Sequence, residues 1–157
     1  MSSPYEELLQ GAPVVRSSPG ARHEQICARL HRCVHASVAN LTSTGLLSSR
    51  SAVRVLPDTI LRPDLALMTI PGSKLWLAAE IVNSEDHAPD TVVKKQIYEE
   101  IRLARLWMID PRYDNVEIYH ATQYGMVLKS ILAGSEVLTE KLLPEFEITI
   151  EALFKPS

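Results

Sequence analysis

Two acids and a lysine are the residues of this chain best suited to chemistry. Asp64 follows Pro63 at the mouth of an apolar run, and Glu80 lies sixteen residues later inside a second run. A lone carboxylate among apolar residues is costly to bury unless a positive charge pairs with it. Two such acids brought together point to a shared cation. Oxygen-only ligands favour a hard ion, Mg2+ or Mn2+. Lys94 follows, with Lys95 beside it. Two metal-holding acids and a lysine fit metal-assisted phosphodiester hydrolysis. The ion polarises the phosphate and activates water near neutral pH, and the amine stabilises developing charge or orients the water. The competing account is structural: each acid caps a strand end or pairs with a nearby arginine, and the lysines solvate a helix.

The elements that must position these residues follow from local patterns. Residues 62–83 read as a β-hairpin, opened by Pro63 and turned at Pro71-Gly72. Residues 21–41 read as a long helix with Ile26, Leu30, Val34, Val38 and Leu41 as its buried stripe. His23 falls at the start of that stripe and Glu24 about 100° around from it, while Arg22, Arg29 and Arg32 form a solvated or phosphate-facing side. Asp90 is a plausible N-cap for a second helix over 91–103, on which Lys94 and Tyr98 project together four residues apart.

Residues 3–10 match a capping box with Pro4 at the first helical position, so a short helix is expected there, followed by loop to residue 20. Strands are expected over 52–56, 106–109 and 116–120. A further short pair is expected over 126–138, and an alternating segment over 146–150. The order is helix, three strands, helix, two or more strands. This is a mixed α+β (α/β) class without repeats, in one domain over 1–157.

Composition excludes several classes. With 157 residues and 46% hydrophobic content the chain is globular. It has no 18-residue apolar run, so no membrane span is expected, and no basic start leading into an apolar stretch, so no secretory signal. Cys27 and Cys33 are the only cysteines and face different sides of one helix, which fits a reducing cytoplasm. The net charge of −3 does not advertise a nucleic-acid binder, yet the first fifty residues carry five Arg against three Glu, so a basic cleft remains open. Cys27, His31 and His35 line one helix side, but the outer two are about 12 Å apart, too far for one zinc ion. There is no phosphate-cradling glycine loop and no Gly-x-Ser-x-Gly elbow. Trp76 and Trp107 read as core or interface residues.

The order of these motifs resembles the PD-(D/E)XK nuclease superfamily. Within it, the chain is similar to the small bacterial putative restriction endonuclease family, also called domain of unknown function 820. Arg22-His23-Glu24-Gln25-Ile26 resembles the family's first-helix motif, Leu61-Arg62-Pro63-Asp64-Leu65 its PD strand, and Glu80-Ile81-Val82-Asn83-Ser84 its Glu-bearing strand end. Asp90, Lys94 and Tyr98 match its Asp-x-x-x-Lys-x-x-x-Tyr helix. Leu106-Trp107-Met108-Ile109-Asp110-Pro111 resembles its following strand and turn, and Leu142-Leu143-Pro144, Phe146 and Leu153-Phe154 its C-terminal end.

The resemblance implies a restriction-endonuclease-like core: a central mixed sheet flanked by helices. It implies a DNA substrate, a Mg2+ or Mn2+ cofactor and a homodimer. Asp64 and Glu80 would bind the metal, with Glu24 or His23 completing the shell and Asp90 and Tyr98 in support. Val82 stands where the superfamily's E-x-K motif places lysine, so Lys94 would supply the amine. A module of the same fold that binds DNA or protein without cutting is the alternative, motivated by the acidic net charge and the altered 83–89 loop. A hydrolase of small phosphate esters is a third.

Overall fold

The computed structural model describes residues 3–83 and 87–156. Its framework is a six-stranded sheet in the order β10-β9-β8-β7-β6-β3. These strands are β3 (Thr44–Leu46), β6 (Leu65–Thr69), β7 (Leu75–Ile81), β8 (Arg105–Asp110), β9 (Asn115–Thr122) and β10 (Gly125–Ala133). Among the described residues only β7 and β8 pair in parallel, so the sheet is mixed. Helices α1 (Ala21–Val38) and α3 (Ile150–Phe154) cover one face of it. There Ile26, Leu30 and Val34 of α1 pack on Leu67, Leu77, Ala79 and Trp107. The opposite face carries α2 (Lys95–Glu100) and a four-stranded sheet in the order β2-β1-β5-β4. That sheet is built from β1 (Tyr5–Leu9), β2 (Ala12–Arg16), β4 (Val53–Leu56) and β5 (Thr59–Leu61). A small ladder of β11 (Val137–Thr139) and β12 (Glu147–Thr149) leads into α3, whose first turn is capped by the Thr149 side chain. No described helix is long and apolar enough to cross a membrane.

The central hairpin is present as expected, with β6 and β7 antiparallel and Gly72 at φ 104 in the turn. Strand alternation then sorts β7. Leu77, Ala79 and Ile81 face the α1 side, while Ala78 and Val82 face the α2 side. Glu80 lies between Ala79 and Ile81 and therefore points towards α2. Trp107 is fully buried and stacks on Phe146 at 5.5 Å, and Trp76 donates to Thr44 Oγ1 at 2.8 Å, so both tryptophans are structural.

Four local expectations are overturned. The residues expected to form a short N-terminal helix form strand β1 instead, and Ala12–Arg16 of the expected loop form its hairpin partner β2. The two turn residues, Gln10 (φ 53) and Gly11 (φ 84), both adopt the left-handed region that a tight hairpin requires. A lone turn of helix has little stability of its own, whereas this hairpin pairs with β5 and buries Glu7 and Leu9. The second long helix is split into a π-helical turn, Pro89–Lys94, and α2. Asp90 lies inside that turn and does not cap it. Strands β10 and β11 do not pair with each other: β10 extends the large sheet through β9, and β11 pairs with β12. The terminal alternating segment is strand only to Thr149, and Ile150 begins α3.

Candidate functional site

Asp64 is fixed from three directions. The β6–β7 ladder ends at the pair Leu65–Ala79, so Asp64 stands one step beyond it, across from Glu80. Pro63 has no N–H to continue the ladder, and the Asp64 carboxylate takes over by accepting the Ile81 N–H at 2.8 Å. Its other oxygen, Oδ1, accepts from Arg50 at 2.9 Å, and His23 Nε2 lies 3.5 Å from Oδ2. Burial alone would raise this carboxyl. The His23 hydrogen bond and charge, with the Ile81 N–H and Lys94, outweigh it and hold Asp64 below the usual carboxylate range.

The first helix contributes both residues expected of it. His23 Nε2 sits 3.1 Å from the Ile81 carbonyl oxygen, and its buried Nδ1 has no hydrogen-bond partner among the described residues. Burial pulls the His23 imidazolium down, but Asp64 beside it prevails and holds it above its ordinary value. Glu24 meets the Arg50 guanidinium with both oxygens, at 2.7 and 2.8 Å. Glu24 and Asp64 therefore converge on one cation, and that cation is an arginine.

Glu80 belongs to a second, deeper cluster. Its Oε2 lies 2.6 Å from Lys94 Nζ and accepts from the Tyr98 hydroxyl at 2.5 Å. Lys94 and Tyr98 project together from the π-helical turn and α2, as their spacing predicts. Lys94 also donates to Glu7 at 2.7 Å. Glu7 in turn pairs with Arg16 at 2.6 Å, and Arg16 with Asp90 at 2.8 Å. All of these side chains are almost fully buried. Burial pushes the Glu80 carboxyl up to about 8 against the pull of Lys94. Burial also works against the charge on Lys94, but Glu80 and Glu7 outweigh it, so the side chain remains an ammonium. A group held in that state donates and stabilises charge; it does not act as a base at neutral pH.

Glu7, Arg16 and Arg50 are absent from the sequence-derived site. Glu7 left one trace, the inward alternation Tyr5-Glu7-Leu9 with β2 opposite. Arg50 left none: it sits in a polar stretch, brought beside Asp64 by its backbone N–H donating to the Pro63 carbonyl at 2.9 Å. Arg22 and Arg29 are tied to the C-terminal end of the chain, while the Arg22 side chain remains 44% exposed. Arg22 pairs with Asp114 and donates to the Phe154 carbonyl, while Arg29 donates to the Leu153 and Lys155 carbonyls, so both serve the C-terminal end of α3. Cys27 and His31 surround the Asp64 carbonyl oxygen, at 3.6 and 2.7 Å. Burial pushes the Cys27 thiol up to about 11, unlike a thiolate ligand. The 84–86 part of the expected polar loop, including Ser84, lies outside the described residues.

The donor set was tested against a divalent ion. Among the described residues, no group of three or more His, Cys, Asp and Glu side chains is spaced to hold a metal as it stands. Two carboxylates do converge on a single cation at 2.7–2.9 Å, so Glu24 and Asp64 fit a hard ion by donor chemistry. A cleft of about 470 Å3 opens on the His23 side, lined by Gly20, Arg22, His23, Asn83, Pro111 and Arg112 among others. That volume is within the ~300–1,000 Å3 range of ligand sites.

The family model described as Uma2, putative restriction endonuclease, matches residues 3–151. The chain belongs to this family. No curated protein sequence matches it. Among solved structures, a putative nuclease belonging to DUF820 from Anabaena variabilis ATCC 29413 is similar, with a TM-score of 0.79 at 15% identity over 96% of this chain and 90% of that one. At that identity the likeness concerns the fold. The Uma2 chain thus has a nuclease-family fold, as the motif order implied.

Proposed function

We propose that this Uma2 chain is a divalent-metal-dependent endonuclease that hydrolyses DNA phosphodiester bonds, with Asp64, Glu80 and Lys94 as its catalytic group. The observation that carries this reading is the buried contact of the Lys94 ammonium with Glu80, 2.6 Å, directly across the hairpin end from Asp64. Asp64 and Glu24 would hold a Mg2+ or Mn2+ ion, with Glu80 as the neighbouring acid. Bound there, the ion would polarise the phosphate and acidify the attacking water. Lys94 supplies a fixed positive charge in a water-poor site, where it stabilises charge that develops on the phosphate. Glu80, raised by burial, exchanges a proton near neutral pH. Tyr98 orients Glu80 through its hydroxyl, and His23 orients Asp64 from the cleft side.

The test is cleavage of supercoiled plasmid in Mg2+ or Mn2+ by wild type, Asp64→Ala and Lys94→Met. Wild type is expected to nick or linearise the DNA, with loss of activity in both variants and in chelator. An Asp64→Ala protein as active as wild type would refute the reading. The non-cutting module is favoured by one observation: Arg50 and Lys94 already satisfy the acids that a metal would need. DNA binding with no cleavage in either metal would select it. A homodimer, implied by the family resemblance, is also part of the proposal. The edge strand β10 exposes Val127, Leu128 and Ile131, an apolar surface suited to a second copy. A monomer mass by light scattering at micromolar concentration would remove it. The free cysteines accord with a reducing cytoplasm.

A further inference from the structure

We propose that Arg50 is the site's resident cation: its guanidinium fills the point between Glu24 and Asp64 that a divalent ion would take, so that metal entry requires Arg50 to leave. The inference rests on the reading of Glu24 and Asp64 as metal-side acids. Three features of Arg50 support it. Its fork spans both acids at once, with Nη2 on the two Glu24 oxygens and Nη1 on Asp64 Oδ1, at 2.7–2.9 Å. Such a planar, always charged group is the side chain best matched to two carboxylates. It is also placed deliberately. Arg50 adopts φ 58, a left-handed backbone that an L-residue with a long side chain rarely takes. Both peptide groups hold that conformation: Arg50 N–H donates to Pro63 O at 2.9 Å, and Arg50 O accepts from Arg62 at 3.2 Å. Backbone outliers of this kind persist where the surroundings over-determine them, and they cluster at functional sites.

The third feature is electrostatic need. Asp64 is only 2% exposed, and a buried carboxylate left without a cation is strongly destabilising. A metal-free chain therefore needs internal countercharge, and Arg50 provides the permanent share of it beside the titratable His23. Arginine and divalent ion cannot occupy one point together. Their competition is reciprocal, so removing the guanidinium must raise metal affinity by the factor with which it opposed the ion.

The experiment is calorimetric titration of MnCl2 into the full chain, wild type against Arg50→Gly. Glycine accepts the left-handed backbone at this position, so the variant removes the cation without adding strain. Arg50→Asn, another residue tolerant of that conformation, is the second variant should the first not fold. The expected result is manganese affinity higher by roughly 5- to 150-fold in the variant, the usual range of coupling between sites. The gain should vanish in the Arg50→Gly/Asp64→Ala double variant. Thermal melts supply a second readout. Without metal, Arg50→Gly should melt below wild type, and millimolar Mn2+ should raise its Tm more than that of wild type. A purely structural arginine would give the drop but no metal-specific rescue. Equal manganese affinity in wild type and variant would overturn the inference, whether or not wild type cuts DNA. A metal gain in the variant with no DNA cleavage by wild type would leave it standing and remove the nuclease reading.

Discussion

Replacing Glu80 by Gln tests the buried site through its pH dependence. Gln has the same shape and can still accept from Lys94 and Tyr98, but it cannot ionise. In wild type, burial moves the carboxyl midpoint from 4.5 to about 8. Between these values the unfolded chain has released the proton and the folded chain still holds it. The folded state thus binds more protons, and stability falls as pH rises through this window. At about 1.4 kcal/mol per pH unit, the loss from pH 5 to pH 8 is roughly 3–4 kcal/mol. That is a large part of a typical total of ~5–15 kcal/mol. His23, held above its ordinary value, adds a slope of the same sign: its contribution is complete below 6.5 and is lost as pH rises through its folded midpoint. Asp64, held below its ordinary 3.8, contributes fully above that value and stays constant across the window. Both terms are shared by wild type and variant, so the difference between the two proteins isolates Glu80. The assay is urea unfolding in chelator at intervals from pH 5 to pH 8. The two proteins should coincide near pH 5 and diverge to roughly 3 kcal/mol at pH 8, with Glu80→Gln the more stable. Parallel curves would refute the account of Glu80 as a carboxyl raised by burial.

Arg16→Met should cost about 3–5 kcal/mol, because it strands Asp90 as a buried charge and leaves Glu7 to Lys94, and adding Asp90→Asn should recover part of the loss; chemical denaturation reads both. Gly11→Val should cost about 1–2 kcal/mol, since Gly11 sits at φ 84 in the β1–β2 turn. A neutral effect on the Tm would contradict the two-residue hairpin. The plasmid assay on Asp64→Ala and Lys94→Met and the manganese titration of Arg50→Gly complete the set.

Much of the site was legible because its residues lie on regular elements with clear periods. The Pro63-Asp64 strand start, the isolated acid at Glu80, and Lys94 and Tyr98 four apart could be read from local pattern alone, and each lies in one of the two buried charge clusters. The N-terminal segment failed for a local reason as well. Eight residues satisfy a capping box and a hairpin strand equally, and the pairing of β1 with β2 and β5 decides between them. The π-helical turn was invisible for the same cause, since its six residues carry ordinary helical composition.

The sequence by itself determined the hairpin, the buried acids and the amine, because burial pattern and residue type are local properties. Which charge meets which was decided only by tertiary structure. Lys94 reaches Glu7 across 87 positions, and Arg50 reaches Glu24 across 26. A buried charge dictates that it will have a partner but not where in the chain that partner lies. Of the two accounts of Asp64 drawn from the sequence, the nearby arginine is Arg50, which joins Asp64 to Glu24 and not to Glu80. The fold brought the arginine to the place where a cation was needed.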